Sequence, residues 1–314
     1  MTACPICGGA DSSPLFRGSD RLYRTTAREF AVVRCARCGM TRLDPQPAPE
    51  ELREYYPANY WFAPGGDTAG RIEELYRRIV LGDHVRFVER ALRASGAAGP
   101  ILDVGCGGGL FLGMMRRRGG RVVGLDFSPE AAAVAWQRQG VPAMVADFER
   151  APLRAASFAA VTMFHVVEHL PDARPYFAVA RRLLAPRGRL IVQAPNAASA
   201  QARLLRRRWN GYDVPRHLFD FRDRDLETLL VRAGFEVVRR KHFSLRDNPA
   251  GLASSLAPGL DPMARRVRGC VESGAGRLAR DLAYFALVVA SLAPAALEAA
   301  FGFGATVMME ARVR

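Results

Sequence analysis

From residue 99 onward the chain alternates short apolar runs with longer stretches in which apolar side chains recur every three or four positions. The short runs are Ile101–Val104, Val122–Leu125, Ala143–Ala146, Phe158–Phe164 and Arg189–Gln193. Runs of this length suit strands buried on both faces, and their alternation with helical stretches predicts a doubly wound α/β sheet. A sixth strand entered through Gly234-Phe235 and a last one over 305–311 bring the sheet to seven. Upstream, Ile72, Leu75, Ile79, Val80, His84, Phe87, Val88 and Leu92 keep helical spacing, predicting an amphipathic lead-in helix over 71–92.

Near the start the pattern is different. Residues 4–7 read Cys-Pro-Ile-Cys and residues 35–38 read Cys-Ala-Arg-Cys, each pair followed by a glycine, Gly8 or Gly39. Two thiolates three positions apart on a tight turn can share one tetrahedral Zn²⁺. Two such pairs, Cys4, Cys7, Cys35 and Cys38, make a closed structural site. Leu15-Phe16 and Phe30 to Val33 read as strands of a zinc-ribbon hairpin. A module over 1–45 encloses little core, so zinc is expected to supply its folding energy. A linker and lead-in helix occupy 46–98. There Pro45-Gln-Pro47-Ala-Pro49 is stiff, and the cluster Tyr55-Tyr56-Pro57 with Tyr60-Trp61-Phe62 either caps a pocket or glues the ribbon to the main domain. The core is expected over 99–243, a mainly helical insertion over 244–303 and the final strand over 304–314. Within the insertion, 244–276 reads as loop. Leu282–Leu297 is an apolar run broken by Pro294 and shorter than the about 20 residues a spanning helix needs, so a buried or surface-lying helix is expected.

The polar residues of the core gather where predicted strands end, the edge at which open α/β sheets bind ligands. Asp103 closes the first strand and is followed by Gly105-Cys106-Gly107-Gly108-Gly109; glycines there let backbone pass close under a ligand and expose helix N-terminal amides. A glycine loop alone also fits a dinucleotide. Asp103 repels a pyrophosphate, however, and suits a cation such as the methionine part of S-adenosylmethionine (SAM). Asp126-Phe127 ends the second strand, where an acid accepts from ribose hydroxyls, and Asp147-Phe148 ends the third, an acid and a ring for adenine. His165-Val-Val-Glu168-His169-Leu170 follows the fourth strand, and Leu184-Ala-Pro-Arg-Gly188 precedes the fifth.

This series resembles the class I SAM-dependent methyltransferases over roughly residues 70–240. The resemblance implies a Rossmann-like seven-stranded sheet with its last strand antiparallel. It also implies that Asp103, Gly105, Cys106, Gly107 and Gly109 cradle the methionine part, with Asp126 and Phe127 at the ribose and Asp147 and Phe148 at adenine. Cys106 reads as a small filler. The Cys4 ribbon and the tyrosine-rich segment resemble the zinc-ribbon methyltransferases of bacterial sugar, glycan and secondary-metabolite pathways, although the chain lacks the length for the large extra C-terminal domain of deoxysugar C-methyltransferases.

Two segments are placed to face the methyl acceptor: His165-x-x-Glu168-His169, whose side chains share a face on a helical turn, and Trp209–Phe219 with His217. Three readings fit. His169 or His217 acts as a general base; His165, Glu168, His169 and His217 bind a divalent metal; or these groups tie neighbouring loops together. The metal reading resembles the Glu-x-x-Glu-His plus distant His arrangement of ubiquinone-pathway and small-RNA O-methyltransferases, with His165 in place of the first glutamate.

Composition adds the partners. Hydrophobic residues make up 49% of the chain, which excludes wholesale disorder. The formal charge of +14 is almost all arginine, Lys241 being the only lysine. It reflects arginine-rich codon usage or anionic partners: nucleic acid, phosphorylated substrates or an acidic membrane. The run Arg203-Leu-Leu-Arg-Arg-Arg208 either clamps a phosphate or forms a solvated helix face. The opening residues carry no charged-then-apolar leader, so a cytoplasmic protein is expected, with peripheral membrane contact available through 282–300. The leading expectation is methylation of a small-molecule or carrier-linked acceptor, anionic on the charge argument. An rRNA-type methyltransferase and a non-catalytic SAM-binding protein are the alternatives. Nucleic acid is disfavoured because no arginine stripe interleaved with aromatics runs along the ribbon. Oligomeric state is left open.

Overall fold

The structure is a computed structural model describing residues 3–57, 68–270 and 274–314, with 68–72 as backbone alone. Tyr60, Trp61 and Phe62 lie outside the described residues, as does the side chain of Ile72. Two sheets form. The ribbon contributes β1 (Ser12–Gly18), β2 (Phe30–Cys35) and β3 (Thr41–Leu43). Then come α1 (Pro49–Glu54), the long α2 (Thr68–Ser95), β4 (Ile101–Val104), α3 (Leu110–Arg117), β5 (Val122–Asp126), α4 (Pro129–Gln139), β6 (Ala143–Val145), β7 (Phe158–Phe164), α5 (Arg174–Leu183) and β8 (Leu184–Pro195). The remaining elements are α6 (Ala200–Leu205), β9 (Phe219–Asp220), α7 (Asp223–Arg232), β10 (Phe235–Lys241), α8 (Asn248–Leu256), α9 (Pro262–Val267), α10 (Gly274–Ala300) and β11 (Thr306–Val313).

The large sheet has the order β10-β11-β8-β7-β4-β5-β6. β11 runs antiparallel to both neighbours, while β8, β7, β4, β5 and β6 are parallel. After β6 the chain crosses over β4 to enter β7, so strand order reverses between β4 and β7 and opens a crevice at their carboxyl ends. Strands β4 and β7 are buried along nearly their whole length, which explains their uninterrupted apolar spelling.

Three expectations are corrected. β8 starts at Leu184, ahead of the expected Arg189, because the Pro186-Arg-Gly188 segment is a bulge inside the strand. Its register against β7 shifts between Phe158 and Ala160, Arg187 takes φ +65°, and a Cβ on Gly188 would stand 2.8 Å from the Ala185 carbonyl. The stretch 244–276, read as loop, holds α8 and α9. Pro249 and Pro262 sit in their first turns, where a missing N–H costs nothing, and Asp261 caps α9. Pro294 does not break its helix: α10 runs 27 residues through it. α10 has the length and hydropathy of a membrane-crossing helix, with 17% of its most apolar window buried, and leaves Leu278, Leu282, Phe285, Val289 and Leu297 exposed. In α2, Val80, Val85, Phe87 and Val88 are buried as the spacing requires, but Leu75 and Ile79 are exposed.

The ribbon is knitted into the core. Its sheet has the order β1-β2-β3-β9, so residues 219–220 supply its fourth strand through Thr41–Asp220 and Arg42–Phe219. The deepest tie is Arg216. Its guanidinium is fully buried and makes 2.9 Å bonds to both oxygens of Asp20 and bonds of 2.9 and 2.6 Å to Asp213. It also donates to the Tyr55 carbonyl at 3.3 Å and stacks over the Tyr23 ring at 4.5 Å. Asp20 further accepts from the Tyr23 and Thr25 amides and the Thr25 hydroxyl. The loop after β1 packs Leu22 and Tyr23 on Ala264 of α9. One cation thus joins ribbon, linker and the loop before β9, and the Tyr23 ring it stacks on packs against the insertion.

Breaking a buried pair from one side leaves an uncompensated charge and costs about 3–5 kcal/mol. Arg216→Met is expected to lose that much in urea denaturation, and a loss below about 1 kcal/mol would contradict the assignment. Burial raises the Asp20 pKa, but Arg216 more than offsets this and holds it at about 2. Its contribution is therefore present above the ordinary carboxylate range and lost as pH falls toward 2, a sensitivity that Asp20→Asn is expected to remove.

Candidate active site

The glycine-rich loop expected to hold the methyl donor lies at the carboxyl ends of β4 and β5. Gly105, Gly107 and Gly109 all have positive φ, at +72°, +51° and +71°. A Cβ at Gly105 would strike Val166 at 2.7 Å and one at Gly109 would strike Ala135 at 2.8 Å, so the loop is closed to side chains on both counts. Asp103 is buried and accepts a 2.6 Å bond from the Thr162 hydroxyl of β7. Asp126, also buried, accepts from the amides of Gly107 (2.8 Å) and Ser128 (2.9 Å), which pins the glycine loop to the end of β5. Neither acid has an ion-pair partner among the described residues. Burial pushes Asp103 up to about 7 against the Thr162 bond, with the charge of Asp126 adding to the push; burial likewise raises Asp126. Two desolvated carboxylates facing a concave backbone loop form a hole for a cation.

Cys106 is buried beneath this loop, where a Cβ on Gly124 would meet its sulfur at 2.7 Å. Burial pushes its thiol far above the usual range, which leaves it inert. The expected adenine pair separates. Asp147 is exposed and caps the Glu149 amide at 3.0 Å. Phe148 is 1% exposed and packs on Tyr176 at 5.4 Å, so its ring belongs to the core and offers no face to a ligand. The exposed aromatic on this side is Phe127, 60% accessible and edge-on to Tyr56 at 6.2 Å.

The histidine and glutamate cluster expected to face the acceptor lies at the end of β7. His165 adopts φ +56°, uncommon for a side-chain-bearing residue, and Val167–His169 form a 3₁₀ turn. The strained residue splits the expected set. Glu168, His169 and His217 converge, their ligand atoms lying within 4.8 Å of one another. His165 stands behind them: its Nδ1 is 3.0 Å from Glu168 Oε1, and its Nε2 is 2.8 Å from the Gln193 amide and 3.5 Å from Asp247. Burial opposes charge on His165, but Asp247 and Glu168 outweigh it and hold the imidazole protonated to about 9; the same contact keeps Glu168 ionised. The other two imidazoles are oriented by backbone. His169 Nδ1 donates to the Arg216 carbonyl at 3.0 Å, with the Tyr56 hydroxyl 2.9 Å away, and His217 Nδ1 donates to the Gly211 carbonyl at 2.8 Å. Their Nε2 atoms are left for chemistry. His217 Nε2 lies 4.0 Å from Glu168 Oε1, and the buried Glu168 Oε2 has no partner among the described residues.

Sequence reading missed Tyr56 as a site residue and Asp247 and Gln193 as partners of His165. Tyr56 was flagged only as one of a cluster, and the structure divides that cluster: Tyr55 is buried against Phe30 at 6.0 Å, while Tyr56 reaches from Phe127 to His169. The polar Thr162 inside an otherwise apolar strand was the available signal for the Asp103 contact.

The four ribbon cysteines are free of disulfides and converge, with Cys4–Cys38 and Cys7–Cys35 sulfurs each 3.5 Å apart. A tetrahedral ion with bonds of about 2.3 Å spaces its sulfurs at about 3.8 Å, so the cluster fits a zinc ribbon. Gly8 and Gly39, at φ +72° and +77°, turn their amides onto the Cys4 and Cys35 carbonyls. Arg222 ties the second knuckle to α7, donating to the Cys38 carbonyl at 2.7 Å while pairing with Asp225.

The strain at Asp103 yields an expectation of opposite signs. Its carboxylate costs the native state above its raised pKa, so stability falls as pH rises from the unfolded value near 4 toward 7. Asp103→Asn should raise the thermal midpoint of ligand-free protein at pH 8, at about 2–4 °C per kcal/mol relieved. The same change should weaken SAM or S-adenosylhomocysteine binding at least tenfold by calorimetry. Equal affinity in the two proteins would reject a ligand role for Asp103.

Comparison with known proteins agrees with this geometry. Over 122 residues the chain is 34% identical to the ubiquinone biosynthesis O-methyltransferase of Xanthomonas axonopodis pv. citri, covering 37% of this chain and 50% of that protein. Over 137 residues it is 33% identical to the enzyme of that name from Cronobacter sakazakii, covering 41% and 55%. The chain thus spans about half the length of the curated relatives it matches. The geranyl diphosphate C-methyltransferase of Streptomyces coelicolor A3(2), solved with Mg²⁺, geranyl diphosphate and S-adenosyl-L-homocysteine, shares the fold: TM-score 0.52 and 17% identity over 85% of this chain and 99% of that one. The family described as methyltransferase domain matches residues 73–240, more than half of the sequence. With its strand order and its acids at the ends of β4 and β5, the chain belongs to that family, as a class I SAM-dependent methyltransferase.

Proposed function

We propose that the protein moves the methyl group of SAM to a hydroxyl of a small-molecule acceptor held at Glu168, His169 and His217. The observation that carries this reading is the pair of imidazoles with Nδ1 fixed on backbone carbonyls and clustered with Glu168, one strand over from the glycine-rich loop. SAM is already activated, so the protein's task is mostly alignment. The acceptor oxygen bonds to the methyl carbon, the carbon–sulfur bond breaks with its electron pair remaining on sulfur, and the hydroxyl proton passes to an imidazole Nε2. Tyr56, between Phe127 and His169, shields the line of transfer from water. The relatives named for ubiquinone biosynthesis are O-methyltransferases, which favours oxygen as the accepting atom.

Glu168, His169 and His217 also have the composition of a divalent-cation site, with a backbone carbonyl behind each imidazole that fixes its ring. A cation there would lower the hydroxyl's pKa. His165 is outside that set and acts through Glu168. In the ribbon, we assign the four cysteines to one structural zinc, which holds β1–β3 in the shape that receives β9.

His169→Ala and His217→Ala are each expected to lower kcat about 100-fold or more with S-adenosylhomocysteine binding unchanged; if both variants turn over like wild type, this site is wrong. Activity lost on chelation and restored by Mg²⁺ or Mn²⁺ would assign the role to a cation, and activity that survives chelation would assign it to the imidazoles. For the ribbon, elemental analysis should find one zinc per chain, and Cys35→Ser should remove it and lower the unfolding midpoint of the whole protein. A zinc-free protein melting at the same temperature would refute a structural zinc.

A further inference from the structure

Between the ribbon and the core lies a second concavity, of about 460 Å³, that the transfer site does not use. Four arginines line it: Arg34 from β2, Arg203 from α6, and Arg222 and Arg224 at the start of α7. Arg222 is paired with Asp225. Arg34, Arg203 and Arg224 are exposed, and none has a carboxylate partner among the described residues. The acid in the lining, Asp223, is engaged elsewhere, 3.7 Å from His242 and 4.0 Å from Arg240. Three unneutralised guanidinium groups converging on one hollow repel each other, and an anion relieves that repulsion with forked hydrogen bonds.

Position ties the hollow to the acceptor. Asn196–Ala198 of its wall follow the carboxyl end of β8, and Phe303 lies three residues before the start of the antiparallel β11 at Thr306, at the same edge of the sheet. β8 neighbours β7, whose end carries Glu168, whereas the donor loop lies on the other side of β7, at β4. Tyr212 lines the hollow, and the carbonyl of the preceding Gly211 holds the His217 ring of the transfer cluster at 2.8 Å, so one loop borders both. Donor loop, transfer cluster and arginine hollow therefore follow one another across the sheet edge.

We propose that this hollow binds a phosphate or diphosphate group carried by the methyl acceptor, an inference that rests on the acceptor site assigned above. The rim supplies apolar contact as well. Arg203 stacks on the Phe303 ring at 5.0 Å, and the adjacent Leu204 and Phe301 are 82% and 70% exposed. The phosphate ester is thus either a water-soluble, nucleotide-type molecule or a lipid-borne one whose chain lies over this rim and the apolar face of α10.

The test is direct binding to the full chain saturated with S-adenosylhomocysteine. The probes are inorganic pyrophosphate, a nucleoside diphosphate, and phosphatidylcholine vesicles with and without a polyprenyl phosphate. Wild type is compared with an Arg34→Gln/Arg203→Gln/Arg224→Gln variant. Pyrophosphate should bind wild type, weaken as salt rises, and weaken at least tenfold in the variant, whose thermal midpoint and S-adenosylhomocysteine affinity stay unchanged. Preference for the nucleoside diphosphate identifies a soluble ester, and retention only on polyprenyl phosphate vesicles identifies a lipid-borne one. If no probe binds wild type better than the variant, the proposal fails. Because the readout needs no turnover, that failure is separate from any failure of the histidine variants.

Discussion

The arrangement of this protein depends on the burial of one guanidinium. Arg216 has no access to water, so its charge is tolerable only while Asp20 and Asp213 both face it. Asp20 belongs to the ribbon and Asp213 to the loop that also carries His217. The carbonyl of Arg216 itself receives the His169 N–H. The geometry of the acceptor side is therefore inherited from an electrostatic requirement satisfied at a distance: when the ion cluster closes, the two imidazoles acquire their orientation. A loop rich in polar groups is given one conformation this way, without being part of a helix or strand.

On the donor side the logic is reversed. Asp103 and Asp126 are buried without an ion-pair partner among the described residues, and the charge of Arg246 does not outweigh the burial of Asp103, so the site would favour a positively charged ligand. One side of β7 is thus anchored by a buried ion cluster, and the other carries buried acids without an ion-pair partner among the described residues. His165, at β7's end with an unusual backbone angle and a charge held by Asp247 and Glu168, is the point where the two regimes meet.

Much of this was legible in the sequence because it depends on local spelling. The apolar runs announced β4 to β8, the glycines after Asp103 announced the donor loop, and the two Cys-x-x-Cys pairs announced the ribbon. What was illegible depends on partners far apart in the chain. Nothing local in the sequence pairs Asp20 with Arg216, which are 196 positions apart until the fold brings them together. Asp247, which fixes His165, sits in a stretch that prolines and glycines disguised as loop, since a proline punctuates a chain equally well when it opens a helix. Phe148 was misjudged because an aromatic after a strand-end acid suits a ligand wall and a core filler alike, and only burial distinguishes the two.

The strand pairing of Thr41 and Arg42 with Phe219 and Asp220 bears on how the molecule is made. On a ribosome adding about 5–20 residues per second, the four cysteines emerge many seconds before the strand that completes their sheet. The ribbon must persist through that interval without its fourth strand, held by whatever its thiols have captured. Synthesis thus imposes an order: first the ribbon, then the glycine-loop half of the sheet, then the segment from 213 to 220 that fastens the two together, and after it Asp247 and β11. The histidine-bearing half of the crevice is therefore assembled late, on a surface that the earliest residues have already prepared.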